Sequence, residues 1–254
     1  MSLIASRDNP RVRRWRELAR DGRQRRKEKR AILEGEHLVA AFLEAGGKVR
    51  ELILSQSAAA RFGALARRSG KPAVVLADPV FKAIADTGTP TGIAAEIALP
   101  AADFDLKRAN TCVFLEGVQD AGNVGTILRS AAAFGIRHAV LGPGCADAWS
   151  PKVLRAGMGA HFSLAIAERA DLAAAIAEFA GKTVCAVPRG GVSLTAADLS
   201  GRVGWLLGAE GQGVSETLAA RASLRVTIPM PGGVESLNVA AAAAICFYEA
   251  TRGV

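Results

Sequence analysis

From Thr111 to Val254, short runs rich in Val, Leu and Ile recur at Cys112 to Leu115, His138 to Leu141, Thr183 to Val187, Gly204 to Leu207 and Leu224 to Ile228. Between them lie stretches of helical periodicity at Val124 to Phe134, Lys152 to Gly157, Asp171 to Ala180, Val214 to Arg221 and Leu237 to Tyr248. Apolar runs of this length, without polar alternation, must bury both faces, and the intervening helices supply the cover. The pattern predicts an α/β domain on a parallel sheet, with ligands bound outside the carboxyl ends of the strands.

Three polar loops fall at such ends. In Ile228-Pro-Met-Pro-Gly-Gly-Val-Glu-Ser-Leu-Asn-Val-Ala241, Pro229 and Pro231 block regular pairing and Gly232 and Gly233 open backbone conformations closed to other residues, so the strand stops there. Ser236 is the expected N-cap of the helix that begins at Leu237. Upstream, Leu115-Glu-Gly-Val-Gln-Asp-Ala-Gly-Asn-Val-Gly-Thr-Ile-Leu-Arg129 carries Asn123 and Arg129 into a helix, and Trp205-Leu-Leu-Gly-Ala-Glu-Gly-Gln-Gly213 sets Glu210 among Gly208, Gly211 and Gly213. Each has an ordinary reading alone: a capped helix, a surface arginine, a glycine-rich turn. Three at strand ends of one sheet point instead to a single polar site.

Charge is distributed unevenly. Residues 1–30 hold 12 Lys and Arg against 4 Asp and Glu, a net of +8 equal to that of the whole chain. Arg11-Val-Arg-Arg-Trp-Arg16 and Arg23-Gln-Arg-Arg-Lys-Glu-Lys-Arg30 therefore read as a basic arm for a polyanion, with Arg11, Arg13, Arg14, Arg25, Arg26 and Lys27 as its contacts and Trp15 available to stack on a base. A solvated helix face is the plain alternative. The segment shows no continuous apolar face, which makes an anionic membrane the weaker partner. No apolar run is long enough to span a bilayer, and the arginine-dense start lacks the apolar segment and cleavage site of a secretory signal, so a cytoplasmic protein is expected.

Half of the 254 residues are hydrophobic, enough to fill the cores of two small domains or of one large one. Helices at Glu36 to Glu44, Ser57 to Arg68 and Pro79 to Ala85 alternate with strands at Val49 to Leu54, Ala73 to Leu76 and Gly92 to Ala98, a small α/β unit. Pro100-Ala-Ala-Asp-Phe-Asp-Leu-Lys-Arg-Ala-Asn110 breaks the periodicity. The division expected is 1–99, a linker at 100–110, and 111–254.

Several chemistries find no signature. There is no Gly-x-Gly-x-x-Gly dinucleotide fingerprint, no Gly-x-x-x-x-Gly-Lys-Ser/Thr phosphate loop and no Gly-x-Ser-x-Gly nucleophile elbow. Cys112, Cys145, Cys185 and Cys246 stand singly in apolar surroundings, with only His37, His138 and His161 besides, so core thiols are expected and no metal site.

The order Asn-x-Gly-x-x-x-Arg, Gly-x-Glu-Gly-x-Gly, Pro-Met-Pro-Gly-Gly-Val-Glu-Ser-Leu-Asn resembles the three motifs of the SpoU/TrmH family of RNA ribose 2'-O-methyltransferases, over Thr111 to Val254. Ser6-Arg-Asp-Asn-Pro-Arg-Val12, Leu33-Glu-Gly-Glu-His-Leu38 and Thr87-Gly-Thr-Pro-Thr-Gly-Ile-Ala94 are similar to the family's ribosomal-protein-like substrate-binding domain, which favours the ribosomal-RNA branch. In relatives the residue after Pro90 is more often Gln, and the Ser before Met in the stretch Ser150-Pro-Lys-Val-Leu-Arg-Ala-Gly-Met-Gly-Ala160 is Gly157 here. The resemblance implies a deep trefoil knot in the C-terminal domain, S-adenosylmethionine as cofactor at Gly208, Ile228 and Leu237, and a reacting centre of Asn123, Arg129, Glu210, Ser236 and Asn238. It further implies a homodimer through the last helix, where Leu237, Val239, Ile245 and Phe247 are compatible with burial, though the protein's own core would explain them equally.

Methyl transfer to a ribose hydroxyl requires in-line placement and stabilisation of charge developing on oxygen. Arg129 suits the latter because guanidinium stays charged and presents a fork of donors. Asn123 would orient Arg129 or the ribose, Glu210 would fix the donor network of the loops, and Ser236 with Asn238 would line the target hydroxyl. The alternatives are a tRNA ribose or base methyltransferase and a non-catalytic RNA-binding or ribosome-assembly factor on the same fold.

Overall fold

The computed structural model describes residues 3–100 and 104–252; residues 101–103 of the expected linker lie outside them. The elements of the first half are β1 (Leu3–Ile4), α1 (Pro10–Arg20), α2 (Gly22–Glu28), β2 (Arg30–Glu34), α3 (Glu36–Glu44), β3 (Glu51–Ser55), α4 (Gly63–Arg68), β4 (Ala73–Leu76), α5 (Asp78–Ile84) and β5 (Ile93–Ala98). Then come β6 (Thr111–Glu116), α6 (Ala121–Ala133), β7 (His138–Leu141), α7 (Pro151–Gly157), β8 (Ala165–Glu168), α8 (Leu172–Glu178), β9 (Lys182–Ala186), β10 (Val192–Ser193), β11 (Val203–Gly208), α9 (Glu216–Ala219), β12 (Leu224–Thr227) and α10 (Val239–Thr251). Two compact units result: Met1–Ala101 with Trp149–Phe162, and Ala102–Ala148 with Ser163–Val254.

The first unit is a five-stranded mixed sheet in the order β1-β4-β3-β5-β2, in which β5 runs antiparallel to both neighbours. Its basic N-terminal segment is not a free arm. Asn9 caps α1 by accepting from the Arg11 amide, Pro10 opens the helix, and Val12, Trp15 and Leu18 repeat at helical spacing. That stripe is buried with Ile32, Ile53, Val80, Phe81 and Ile84. Trp15 is fully buried and its Nε1 donates to Glu96 at 2.9 Å, so it is unavailable to stack on a base, and the apolar face missing from the sequence reading is a core face. Glu96, itself buried, also accepts from Arg14 at 2.5 Å and Arg30 at 2.6 Å; three donors compensate the removal of its charge from water. Arg25 is buried as well and donates to the carbonyls of Leu18 and Ala19 near the C-terminal end of α1. Of the six arginines and lysines expected at RNA, Arg25 is thus part of the scaffold, Arg14 is tied to Glu28 and Glu96, and Arg11 pairs with Glu51.

The segment Trp149–Phe162, expected in the domain of 111–254, groups with this first unit. Side chains explain the difference. Helix α7, capped by Ser150, packs on β2, and Arg155 donates to Asp86 at 2.6 Å. Phe162 meets Phe42 edge-on, and Gly159, at φ +89°, lies so close to Ala41 that a Cβ there would stand 3.0 Å from the alanine methyl.

The second unit is a seven-stranded sheet in the order β10-β12-β9-β11-β6-β7-β8, parallel throughout. Every residue of β11 is buried, as continuous apolar runs in a doubly covered sheet must be. Cys112, Phe114, Phe179, Cys185 and Leu206 fill one core, and Trp205 meets Phe247 of α10 at 6.3 Å between ring centroids. Burial pushes the Cys185 thiol up to about 11 and that of Cys246 up to about 12, so these sulfurs stay protonated as packing groups. Among the described residues no three His, Cys, Asp or Glu side chains cluster as metal ligands, and no helix is long and apolar enough to cross a membrane.

Candidate active site

Strands β12, β9, β11 and β6 are neighbours, so the loops after β6, β11 and β12 emerge at one edge of the sheet together with the loop after β9. Chain direction does the gathering. In a parallel sheet every carboxyl end lies on the same side, and loops distant in sequence become adjacent.

A chain of side-chain amides links three of them. Asp120 caps α6 and accepts from the Asn123 amide at 2.8 Å, which fixes Asn123 in the first turn. Nδ2 of Asn123 donates to Oε1 of Glu210, leaving its Oδ1 to accept from Nδ2 of Asn238 at 3.0 Å. Oδ1 of Asn238 in turn accepts from the Ala240 and Ala241 amides as N-cap of α10. The polarity is read from both ends, because Oε1 of Glu210 accepts and the amides at the helix start can only donate. Asn238 therefore takes the capping role expected of Ser236, and α10 begins at Val239 rather than Leu237. Asn123 is hydrogen-bonded to Glu210 and Asn238, and its side chain makes no bond to Arg129 among the described residues.

The Glu210 loop is tightly constrained. The Gly213 amide donates to the Ala209 carbonyl at 2.8 Å, with Gly211 at φ +85° and Gly213 at φ +69° closing the turn. Its backbone folds over Gly208 so closely that a Cβ at Gly208 would fall on the Gly213 carbonyl and the Val214 nitrogen. Oε2 of Glu116, at the end of β6, accepts from the Ser215 amide at 2.7 Å and anchors the far side of the loop.

Beside this network lies a cavity of about 370 Å³. Gly208, Ile228 and Leu237, the residues expected at the cofactor, all line it, as do Glu210, Ser236 and Asn238. Ala186, Val187 and Pro188 form another wall that the motifs did not reveal. Its signal lay in the strand rule, since β9 ends beside β11 and β12. Arg129 is placed differently. Six residues beyond Asn123 on α6, about a third of a turn round the helix, it is exposed, lies outside the cavity lining, and makes no hydrogen bond or ion pair among the described residues.

Volume and lining are those of a small-molecule site, mostly apolar with a few fixed polar groups. Residues 110–248 match the SpoU rRNA methylase family and residues 9–95 match the MRM3-like substrate binding domain. The 23S rRNA (guanosine(2553)-2'-O)-methyltransferase RlmP of Bacillus subtilis is 33% identical over 98% of this chain and 98% of its own length. Among solved structures, an AdoMet-bound rRNA methyltransferase from Sinorhizobium meliloti superposes with a TM-score of 0.85 at 27% identity, covering 100% of this chain and 98% of the other. A TrmH-family RNA methyltransferase from Porphyromonas gingivalis, described as putative, superposes at 0.83 with 35% identity over 97% and 99%. With its family match spanning more than half its length and a relative aligned from end to end, the chain belongs to the SpoU rRNA methylase family.

Proposed function

We propose that this protein transfers a methyl group from S-adenosylmethionine to a ribose 2'-hydroxyl of structured RNA, ribosomal RNA in preference to tRNA. The observation that carries the reading is the amide chain Asn238, Asn123, Glu210 at the edge of the cavity lined by Gly208, Ile228 and Leu237. The cavity suits the cofactor in size, and its apolar walls at Leu207, Val226, Ile228 and Val239 suit a nucleoside face. Bound there, S-adenosylmethionine supplies an electrophilic methyl group on its sulfonium. Asn123 and Asn238 hold the loops in register, Glu210 fixes the amide polarity, and Ser236 contributes a hydroxyl at the cavity mouth for the ribose. Arg129 stabilises charge developing on the 2'-oxygen. Mapping 2'-O-methylation on total RNA with and without the gene tests the reading. One ribosomal-RNA ribose methyl should vanish with the gene; loss of a tRNA methyl, or of none, contradicts it.

In the first unit, Arg13, Arg20, Arg23, Lys27 and Lys29 are exposed and their side chains make no hydrogen bond or ion pair among the described residues. We assign RNA phosphate binding to these, with Arg26 beside them. Removing residues 1–30 is a poor test because it deletes the core of the unit. Replacing the five by Gln should weaken RNA binding and flatten its dependence on salt, the logarithmic slope falling by close to one for every phosphate no longer neutralised. Cofactor affinity should stay unchanged; an unaltered salt slope would return this face to plain solvation.

A trefoil knot and a homodimer belong to the same proposal, as does a cytoplasmic location beside the RNA. Support for the knot is the close passage of the 209–214 loop over Gly208 and the packing of α10 back on β11 and α6. Support for the dimer is the exposed face of α10, where Ile245 and Tyr248 are 40% and 55% exposed with Leu237 nearby at 37%. Phe247 packs in the core and Val239 lines the cavity, which leaves Ile245, Tyr248 and Leu237 for such a face. Light scattering at micromolar concentration should give twice the chain mass, and a stable, fully active monomer would contradict the assignment.

A further inference from the structure

The cavity lining holds one carboxylate, Glu210, and no cationic side chain. An amino-acid carboxylate on a ligand bound there would need a partner from the rim. The loop after β9 carries an arginine, Arg189, directly after the wall residue Pro188. The Val187 amide donates to the Val226 carbonyl at 2.9 Å, Ala186, Val187 and Pro188 form the wall, and the chain turns through Arg189 and Gly190, the latter at φ +79°. The Gly191 amide then donates to Oγ1 of Thr227 at 3.0 Å, and a Cβ on Gly191 would stand 2.7 Å from the Val226 carbonyl carbon. Only glycine allows that approach. Arg189 is thus bracketed by a wall residue and by a glycine fixed to β12, one residue before Ile228 of the opposite wall. It is exposed and makes no hydrogen bond or ion pair among the described residues.

We propose that Arg189 binds the carboxylate of the amino-acid moiety of S-adenosylmethionine. A guanidinium pairs with a carboxylate through two parallel hydrogen bonds, and a backbone already fixed on both sides lowers the entropy lost on pairing. The assignment rests on the cavity being the cofactor site. Binding to two ligands separates the two ideas: S-adenosylhomocysteine, and S-adenosyl-3-thiopropylamine, which lacks only the carboxylate. Calorimetry on the full chain should show Arg189→Ala weakening the first by about tenfold and leaving the second unchanged, with Arg189→Lys recovering part of the loss. Equal weakening of both ligands overturns the proposal. So does unchanged binding of S-adenosylhomocysteine, including the case in which only RNA affinity falls and the anion served is a phosphate. If the unaltered protein binds neither ligand, the cavity is not the cofactor site and the underlying reading fails first.

Discussion

Arg129→Ala should reduce methyl transfer at least about a hundredfold, the scale of losing one donor to a developing oxyanion, while fold and cofactor affinity stay close to those of the unaltered protein. The two halves of this expectation have separate grounds. Arg129 is exposed, unpaired among the described residues and outside the cavity lining, so its truncation breaks no hydrogen bond or ion pair among them and leaves the cavity wall intact. The proposed role turns on what comes to it, the RNA and the charge that forms during transfer. Arg129→Lys should rescue little, since an ammonium is a point charge without the guanidinium fork. Single-turnover transfer at saturating RNA, beside calorimetry with S-adenosylhomocysteine, separates the chemical step from binding. Near-normal transfer by the alanine variant would move the chemistry to Ser236 and the amide chain.

Gly208→Ala should abolish cofactor binding by a different route. The added methyl meets the backbone of Gly213 and Val214, and backbone cannot rotate aside as a flexible side chain can. The loop must lift, and with it go Glu210 and the wall at Ala209 to Gly213. Asn123 then loses its acceptor, so the damage spreads from a wall of the cavity to the amide chain. Gly232→Ala is the matched control: a Cβ there meets nothing within 4 Å, in a loop of the same site. Calorimetry should find cofactor binding lost in the first variant and retained in the second, with both showing a folded-state circular dichroism spectrum. Retained affinity in Gly208→Ala would mean that the 209–214 loop can move without cost to the site.

Legibility in the sequence followed the physics of burial. His138–Leu141 and Ala73–Leu76 were bounded correctly because an apolar run between polar flanks fixes both ends of a buried strand. Strands β1 and β10 are two residues long and carry no pattern at all. Strand β2 was hidden for another reason: it begins at Arg30, inside the charge run, and its paired Arg30 is visible as structural only once Glu96 is placed across the sheet. The same run misled over Trp15, although Val12, Trp15 and Leu18 held a helical stripe that charge counting passed over. The expected helix at Ser57 to Arg68 starts only at Gly63, because Ser57 donates twice to Asp78 and holds the preceding residues in a turn. Of the site, the three polar loops were legible because their glycines and prolines stop strands by local chemistry. The amide chain was not, since its partners lie 87 and 115 residues apart and only the parallel sheet brings them together.

Methyl transfer to a ribose oxygen is tested by nucleoside mass spectrometry after incubation of the purified protein with ribosomal RNA and deuteromethyl-labelled S-adenosylmethionine. One labelled 2'-O-methylnucleoside is expected, with its adjoining phosphodiester resistant to alkali, and no such product from Arg129→Ala. Label on a base, or no label from protein that binds both cofactor and RNA, would contradict it.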